Sequence, residues 1–314
     1  MKLLHYDSYE SFKHIFDDVC NILIAGYDFS PAFDPERGKH RFHTGMVWRS
    51  LRMGYSIDQF DPDELNEFDI HVETIMELMD RYDLTAKQMK YLKDKDYRKI
   101  DTVLYLIQNL YPVVNPFAWY ESGLNDEQVK KNAENTLMQF VSYIKFEHSA
   151  DKIPELSEEL LQKHNINVYP YLEQVKDDKI TVRIYDTLNY IRLLKDTEND
   201  DVAEKTLDIS IKAGKFFYRA QLQQLHLGMT NGIDASKYAN PDYEPDTMAV
   251  VRRGLKHGLD LASLAGQTSV NILRHMVRIA THDAPVSRLA NETIPEYSYA
   301  LAFLEKHNML LQIL

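Results

Sequence analysis

The stretch "KHGLD" (residues 256–260) decides the reading, because "TNGID" (230–234) stands 26 residues before it and "THDAP" (281–285) 25 residues after it. A helix that keeps ending in one way describes an architecture before it describes a chemistry. Aligned on that stop, the chain yields "QLQQLHLGMTNGIDASKYANPDYEPD" (221–246), "TMAVVRRGLKHGLDLASLAGQTSVN" (247–271) and "ILRHMVRIATHDAPVSRLANETIPE" (272–296), with a truncated unit from Tyr297. The match is positional: Leu222, Met248 and Leu273 correspond, as do Leu225, Val251, Met276 and Leu301, and then Tyr238, Leu264 and Leu289.

Each unit reads as one helix, a glycine-type stop and a short second helix. Leu222, Leu225 and Met229 fall at i, i+3 and i+7 and make one apolar stripe. Gly232 and Gly258 sit where a chain leaves a helix in the left-handed conformation. Asp234 and Asp260 then cap the short helix that starts there, and the loop "NPDYEPD" resets the chain.

The front repeats with a slightly longer period. "GYDFS" (26–30), "GYSID" (54–58), "RYDLT" (81–85) and "LYPVV" (110–114) are spaced 28, 27 and 29 residues apart, each after an apolar helical segment. Tyr27, Tyr55, Tyr82 and Tyr111 form a ladder that reads as interhelical packing. "KHNINVY" (163–169) is a further copy of the helix end, and "DTENDD" (196–201) is the best linker candidate. A period of 25–29 residues with a one-faced stripe leaves each unit unable to bury itself, so neighbours must stack. The expected fold is all-α, a solenoid-like array of helix-turn-short-helix repeats. Its expected divisions are N-terminal repeats over 1–120, a less regular middle over 121–210, and C-terminal repeats with a terminal cap over 211–314.

At this point the stretch "GIDASKYANPDYEPDTMAVVRRGLKHGLDLASL" (232–264) resembles a tandem repeat of Gram-positive bacteria and their phages and plasmids, in which "GLD-x-S-x-Y-A-x-P" alternates with "M-x-x-I-R-x-GL". The resemblance covers about one and a half units. It implies a helical scaffold, often carried by mobile elements, and brings no catalytic residues. "THDAP" departs from it by lacking the glycine, which marks the C-terminal end as a capping repeat.

Charge adds a statement about partners. Of the net −12, residues 1–210 hold 25 Lys/Arg against 39 Asp/Glu, whereas residues 211–290 hold 10 against 6. An acidic front attracts a basic protein and repels nucleic acid; the back is mildly basic. A single cysteine, Cys20, excludes a disulfide framework, and the polar opening "MKLLHYDSYESF" has no secretory core. With no apolar run of membrane-spanning length, the expected location is the cytoplasm.

Two loops concentrate candidate partner-binding residues. "DPERGKHRFHTG" (34–45) carries Arg37, Lys39, His40, Arg41 and His43, and "DQFDPDELNEFD" (58–69) carries Asp58, Asp61, Asp63 and Glu64. Neither fits a metal pattern: "HRFH" lacks the spacing of a zinc helix, and the acidic run lacks the glycine and terminal Glu of a calcium loop. His164, His257, His282 and His307 recur before the turns, where a helix C-terminus favours a cation. No phosphate-cradling loop and no nucleophile elbow is present, so no catalytic residue, cofactor or metal is assigned.

The sequence therefore points to a non-catalytic module that binds another protein. In its sharper form it is a phage or plasmid inhibitor of a basic, nucleic-acid-handling host protein of a defence system such as CRISPR. The alternative is direct nucleic-acid binding by Arg252, Arg253, Lys256, Arg274 and Arg278. A third reading is a hydrolase with its site in the irregular middle.

Overall fold

The computed structural model describes residues 97–144, 151–173 and 180–268, together with 33–34, 39–40, 78, 81–85, 88, 91–92, 270, 273–274 and 276–277. These residues are mostly helical. The chain divides into two compact units: Met1–Met79, Leu84–Lys93 and Arg274–Leu314 make one, and Asp80–Asp83 with Asp94–Leu273 make the other. The divisions expected after residues 120 and 210 are therefore not boundaries of compact units, since the second unit runs through both.

The longer helices among the described residues lie in that second unit. In chain order they are α1 (Tyr97–Leu110), α2 (Phe117–Glu121), α3 (Asp126–Gln139), α4 (Val141–Ile144), α5 (Lys152–His164) and α6 (Tyr169–Leu172). There follow α7 (Thr181–Asp196), α8 (Asp200–Leu207) with a π-helical turn Asp208–Lys212, α9 (Arg219–Thr230), a 3-10 turn Ala235–Lys237 and α10 (Pro245–Lys256). In the first unit, Phe33–Asp34 pairs antiparallel with Lys39–His40, inside the loop read from sequence as an insertion between helices. Among the described residues no helix is long and apolar enough to cross a membrane.

Two kinds of helix are present. α3 is started by a capping box, with Asn125 Oδ1 accepting from the Gln128 amide at 3.0 Å and Gln128 Oε1 from the Asn125 amide at 3.0 Å. It buries only Val129 and Ala133, one turn apart, so one narrow stripe faces the core. α7 buries residues on every side, including Asp186, Thr187 and Asn189, and packs on α5, α8 and α9. Its apolar side chains Ile184, Leu188 and Ile191 meet Leu156 and Leu160 of α5 in one cluster with Ile211 and Phe216.

The ends of α9 and α10 share one geometry. After α9 the amide of Gly232 reaches Met229 O at 3.2 Å and that of Ile233 reaches Gly228 O at 2.8 Å; after α10, Gly258 reaches Leu255 O at 3.1 Å and Leu259 reaches Gly254 O at 2.8 Å. Gly232 has φ +71° and Gly258 +80°, which completes the same left-handed stop twice. Asp234 Oδ1 then accepts from the Ser236 amide and Asp260 Oδ1 from the Ala262 amide, at 3.0 and 3.1 Å. The paired positions Leu222/Met248, Leu225/Val251, Tyr238/Leu264 and Ala239/Ala265 are all buried. The loop between the units is held from both sides: Gln221 Nε2 donates to Pro241 O and Tyr243 O, and Tyr243 Oη donates to Ala265 O.

The earlier helix ends are built with other residues. Asn165 at φ +56° ends α5, and Asp83 at φ +54° ends the helical turn before it. Tyr82 and Tyr111 are both buried, with ring centroids 5.5 Å apart edge to face; Tyr27 and Tyr55 lie outside the described residues. The expected linker at 196–201 is instead a tight corner, in which Thr197–Asn199 joins two packed helices and Glu198 takes φ +58°.

α9 is the hub. It packs on α7, α8, α10 and the 3-10 turn, and also on α1, more than a hundred residues upstream. Its glutamines are buried, and their side-chain polar groups are engaged except Gln224 Nε2. Gln223 Nε2 donates to Tyr111 O at 2.6 Å and Tyr82 Oη donates to Gln223 Oε1 at 2.9 Å, while Gln224 Oε1 accepts from Arg252. Buried amides with partners are tolerated, whereas unpartnered ones are costly.

Candidate partner-binding site

The first residue of α9, Arg219, ties four elements together. Its backbone amide donates to Asp186 Oδ2 of α7 at 3.0 Å, and its guanidinium reaches Asn109 Oδ1 of α1 at 3.4 Å and Tyr143 O of α4 at 2.5 Å. Burial lowers the Arg219 pKa, against the neighbouring Asp186 carboxylate, which raises it. The guanidinium bridges α1 and α4.

Exposed large apolar side chains occur on the elements it touches and next to them in the chain. Tyr105 (44% exposed) lies one turn before Asn109 on α1, Met138 (67%) and Val141 (45%) flank the α3–α4 junction, and Tyr218 (41%) precedes Arg219. The fifth large apolar side chain exposed among the described residues is Tyr169, on α6. The Arg183 guanidinium lies 4.9 Å from the centre of the Tyr218 ring and holds it against the surface. Aromatic and methionine side chains held on rigid elements are what protein interfaces use as anchors.

Beside this corner α4, α5 and α7 share a polar brace. Tyr143 Oη donates to Asp196, and His164 Nε2 lies 3.0 Å from Asp196 Oδ1. Arg192 donates to Glu159 at 2.7 Å and to Asn189 at 2.8 Å, with its guanidinium carbon 4.5 Å from the Tyr143 ring centre. Burial raises the Tyr143 pKa, with Asp196 adding to the rise, so the phenol stays protonated and donating. Among the described residues no three His, Cys, Asp or Glu side chains are grouped to hold a metal ion.

The sequence-derived candidates fall unevenly. Arg37, Arg41, His43, Asp58, Asp61, Asp63, Glu64 and Arg278 lie outside the described residues, as do His282 and His307; Lys39 and His40 are described only as strand backbone. Arg252 is a correction. It is 0% exposed, with Nη1 donating to Asp83 Oδ2 at 2.5 Å and Nη2 to Arg81 O at 3.1 Å, so it is closed to a phosphate backbone. Arg253 lies 3.8 Å from Asp83 and is mostly covered, whereas Lys256 and His257 are exposed at the end of α10. Arg274 is partly covered, in the other compact unit.

Sequence reasoning counted Arg219 among the basic residues of the C-terminal block and missed its role as a buried tie and the exposed apolar groups near it in the chain. Tyr105 and Met138 sit in helices whose periodicity is clear, yet exposure of one residue among many apolar ones has no sequence signal. No protein-family model matches the chain, and neither a curated protein nor a solved structure matches it.

Proposed function

We propose that this protein is a non-catalytic, helical-repeat protein-binding module, in which stacked helix pairs present a fixed surface to another protein. The observation that carries the reading is the exposure of Tyr105 on α1, Val141 on α4 and Tyr218 beside Arg219, whose guanidinium joins α1 to α4, with Met138 exposed at the end of α3. A rigid apolar corner lowers the entropy lost on docking. The partner class is a basic, nucleic-acid-handling protein: residues 1–210 carry 25 Lys/Arg against 39 Asp/Glu, and complementary charge speeds encounter and excludes wrong partners. The resemblance of 232–264 to repeats of mobile elements supports reading the module as a phage or plasmid protein that acts against a host defence system in the cytoplasm. Arg252, enclosed by Asp83 and Gln224, weighs against direct nucleic-acid binding by the C-terminal repeats.

The test is capture from a nuclease-treated Gram-positive lysate at low and high salt, with the wild type beside the triple variant Tyr105→Ser/Met138→Ser/Val141→Ser. One stoichiometric basic protein, held by the wild type and lost by a helical, folded triple variant, is the expected result. Equal capture by both proteins moves the site away from this corner. Recovery of nucleic acid alone from an untreated lysate overturns the protein-binding reading.

A further inference from the structure

Residues 81–83 lie in the short segment Asp80–Asp83 that belongs to the same compact unit as α9 and α10, although the chain on either side of that segment belongs to the other. Each of the three is read separately. Arg81 Nε donates to Asp246 Oδ1 at 3.0 Å, Tyr82 Oη donates to Gln223 Oε1 at 2.9 Å, and Asp83 accepts from Arg252 at 2.5 Å. Arg252 Nη2 also reads the main chain, at Arg81 O, and the Tyr82 ring rests on Tyr111. Arg252 and Gln223 are both 0% exposed, so they hold their geometry whatever the solvent does.

The same chain contains competing ends. "GYD" (26–28) offers the tyrosine and the carboxylate without the arginine, "GYS" (54–56) offers the tyrosine alone, and "LYP" (110–112) supplies the wall of the seat itself. We propose that the α9–α10 corner is a sequence-reading seat for a helix end of the form Arg-Tyr-Asp, which the chain fills with its own residues 81–83 and which rejects the similar ends nearby. A repeat protein with near-identical helix ends needs such a device, because apolar stripes alone fit in more than one register. A buried polar partner that only one candidate satisfies supplies it.

The ranking follows from burial. The Arg81–Asp246 pair is about one-third exposed on both sides, so losing it weakens seating about two- to fivefold. An end without the carboxylate leaves Arg252 buried and unpaired, which weakens seating more than about a hundredfold.

The full-length variant Tyr82→Ala/Asp83→Ala vacates the seat, and synthetic peptides of residues 72–85, 17–30 and 45–58 are titrated into it by fluorescence anisotropy. Binding in the order 72–85, then 17–30 within about fivefold, then 45–58 at least a hundredfold weaker is expected. Equal binding of the three, or binding of none to a folded variant, overturns the proposal. A second measurement does not depend on that variant's folding. Hydrogen exchange of the amides at 81–85 is compared in full-length Arg81→Gly and in Arg81→Gly/Asp83→Ser. Protection a fewfold lower in the first and more than about a hundredfold lower in the second is expected; similar protection in both sinks the idea.

Discussion

His226 and Arg252 occupy the same place, 26 residues apart, in consecutive units, and the two solutions differ completely. Both are buried on the helix that precedes a glycine stop. His226 Nδ1 shares a hydrogen bond with Tyr190 Oη at 3.0 Å, and burial pulls its pKa down to about 4, so the slot is filled by a neutral pair. Arg252 fills it with a charge that Asp83 balances. The backbone repeat thus fixes where a polar side chain enters the core, and the element across from it decides whether that side chain carries charge.

The largest effect comes from breaking the charged solution. Arg252→Met strands Asp83 and is expected to cost about 3–5 kcal/mol in urea unfolding, while Arg252→Met/Asp83→Leu recovers most of that loss. No recovery in the double variant would mean that the pair is doing more than neutralising itself.

The neutral solution shows itself in pH. The folded His226 binds its proton only near pH 4, whereas the unfolded one does so near 6.5, so the unfolded state holds the extra proton in between. Its contribution is complete above pH 6.5 and falls as the pH drops toward 4, by about 1.4 kcal/mol per pH unit. His226→Gln is expected to flatten this part of the stability profile, and Arg252→Met/Asp83→Leu, which strands no carboxylate, to leave its slope unchanged. An identical slope in wild type and His226→Gln would assign the acid sensitivity to other groups.

How much of this was legible in the sequence depends on the range of the forces involved. The glycine stops and the caps at Asp234 and Asp260 are local, set by residues within one turn, and the alignment placed them without a structure. The hub was not legible. "QLQQLH" reads as an amphipathic surface helix, and what buries its glutamines is Tyr111 O, 112 positions away from Gln223. Arg252 reads as a surface cation for the same reason, since its partner Asp83 lies 169 positions upstream. The Arg219 corner depends on three separate elements meeting, which no window of sequence contains.

A smaller effect separates the two elbows. At Gly228 a Cβ would fall 1.8 Å from Tyr238 Oη, and Tyr238 is pinned by its bond to Gln224 O. At Gly254 it would meet Leu261 Cδ1 at 2.9 Å and Leu259 O at 3.0 Å. Gly228→Ala is expected to cost about 1–3 kcal/mol. In a Tyr238→Leu background, which copies the side chain the next unit carries at Leu264, it costs less than half of that. Additive costs would show that the ring moves aside freely, and the elbows would then be equivalent after all.

The smallest expected difference is the most direct test of the repeat. Gly232 and Gly258 have φ +71° and +80° with open space where a Cβ would stand, so an alanine there meets no neighbour and bears only the left-handed backbone penalty. Gly232→Ala and Gly258→Ala are each expected to lose about 1–2 kcal/mol. The double variant is expected to lose their sum within about 0.5 kcal/mol, because the two stops share no partner. Unequal costs would mean that one helix end is held by its surroundings rather than by its turn, and that the likeness of the two units ends at their geometry. Equal costs would make the stop a self-contained instruction, written in five residues, that each unit obeys without help from the hub.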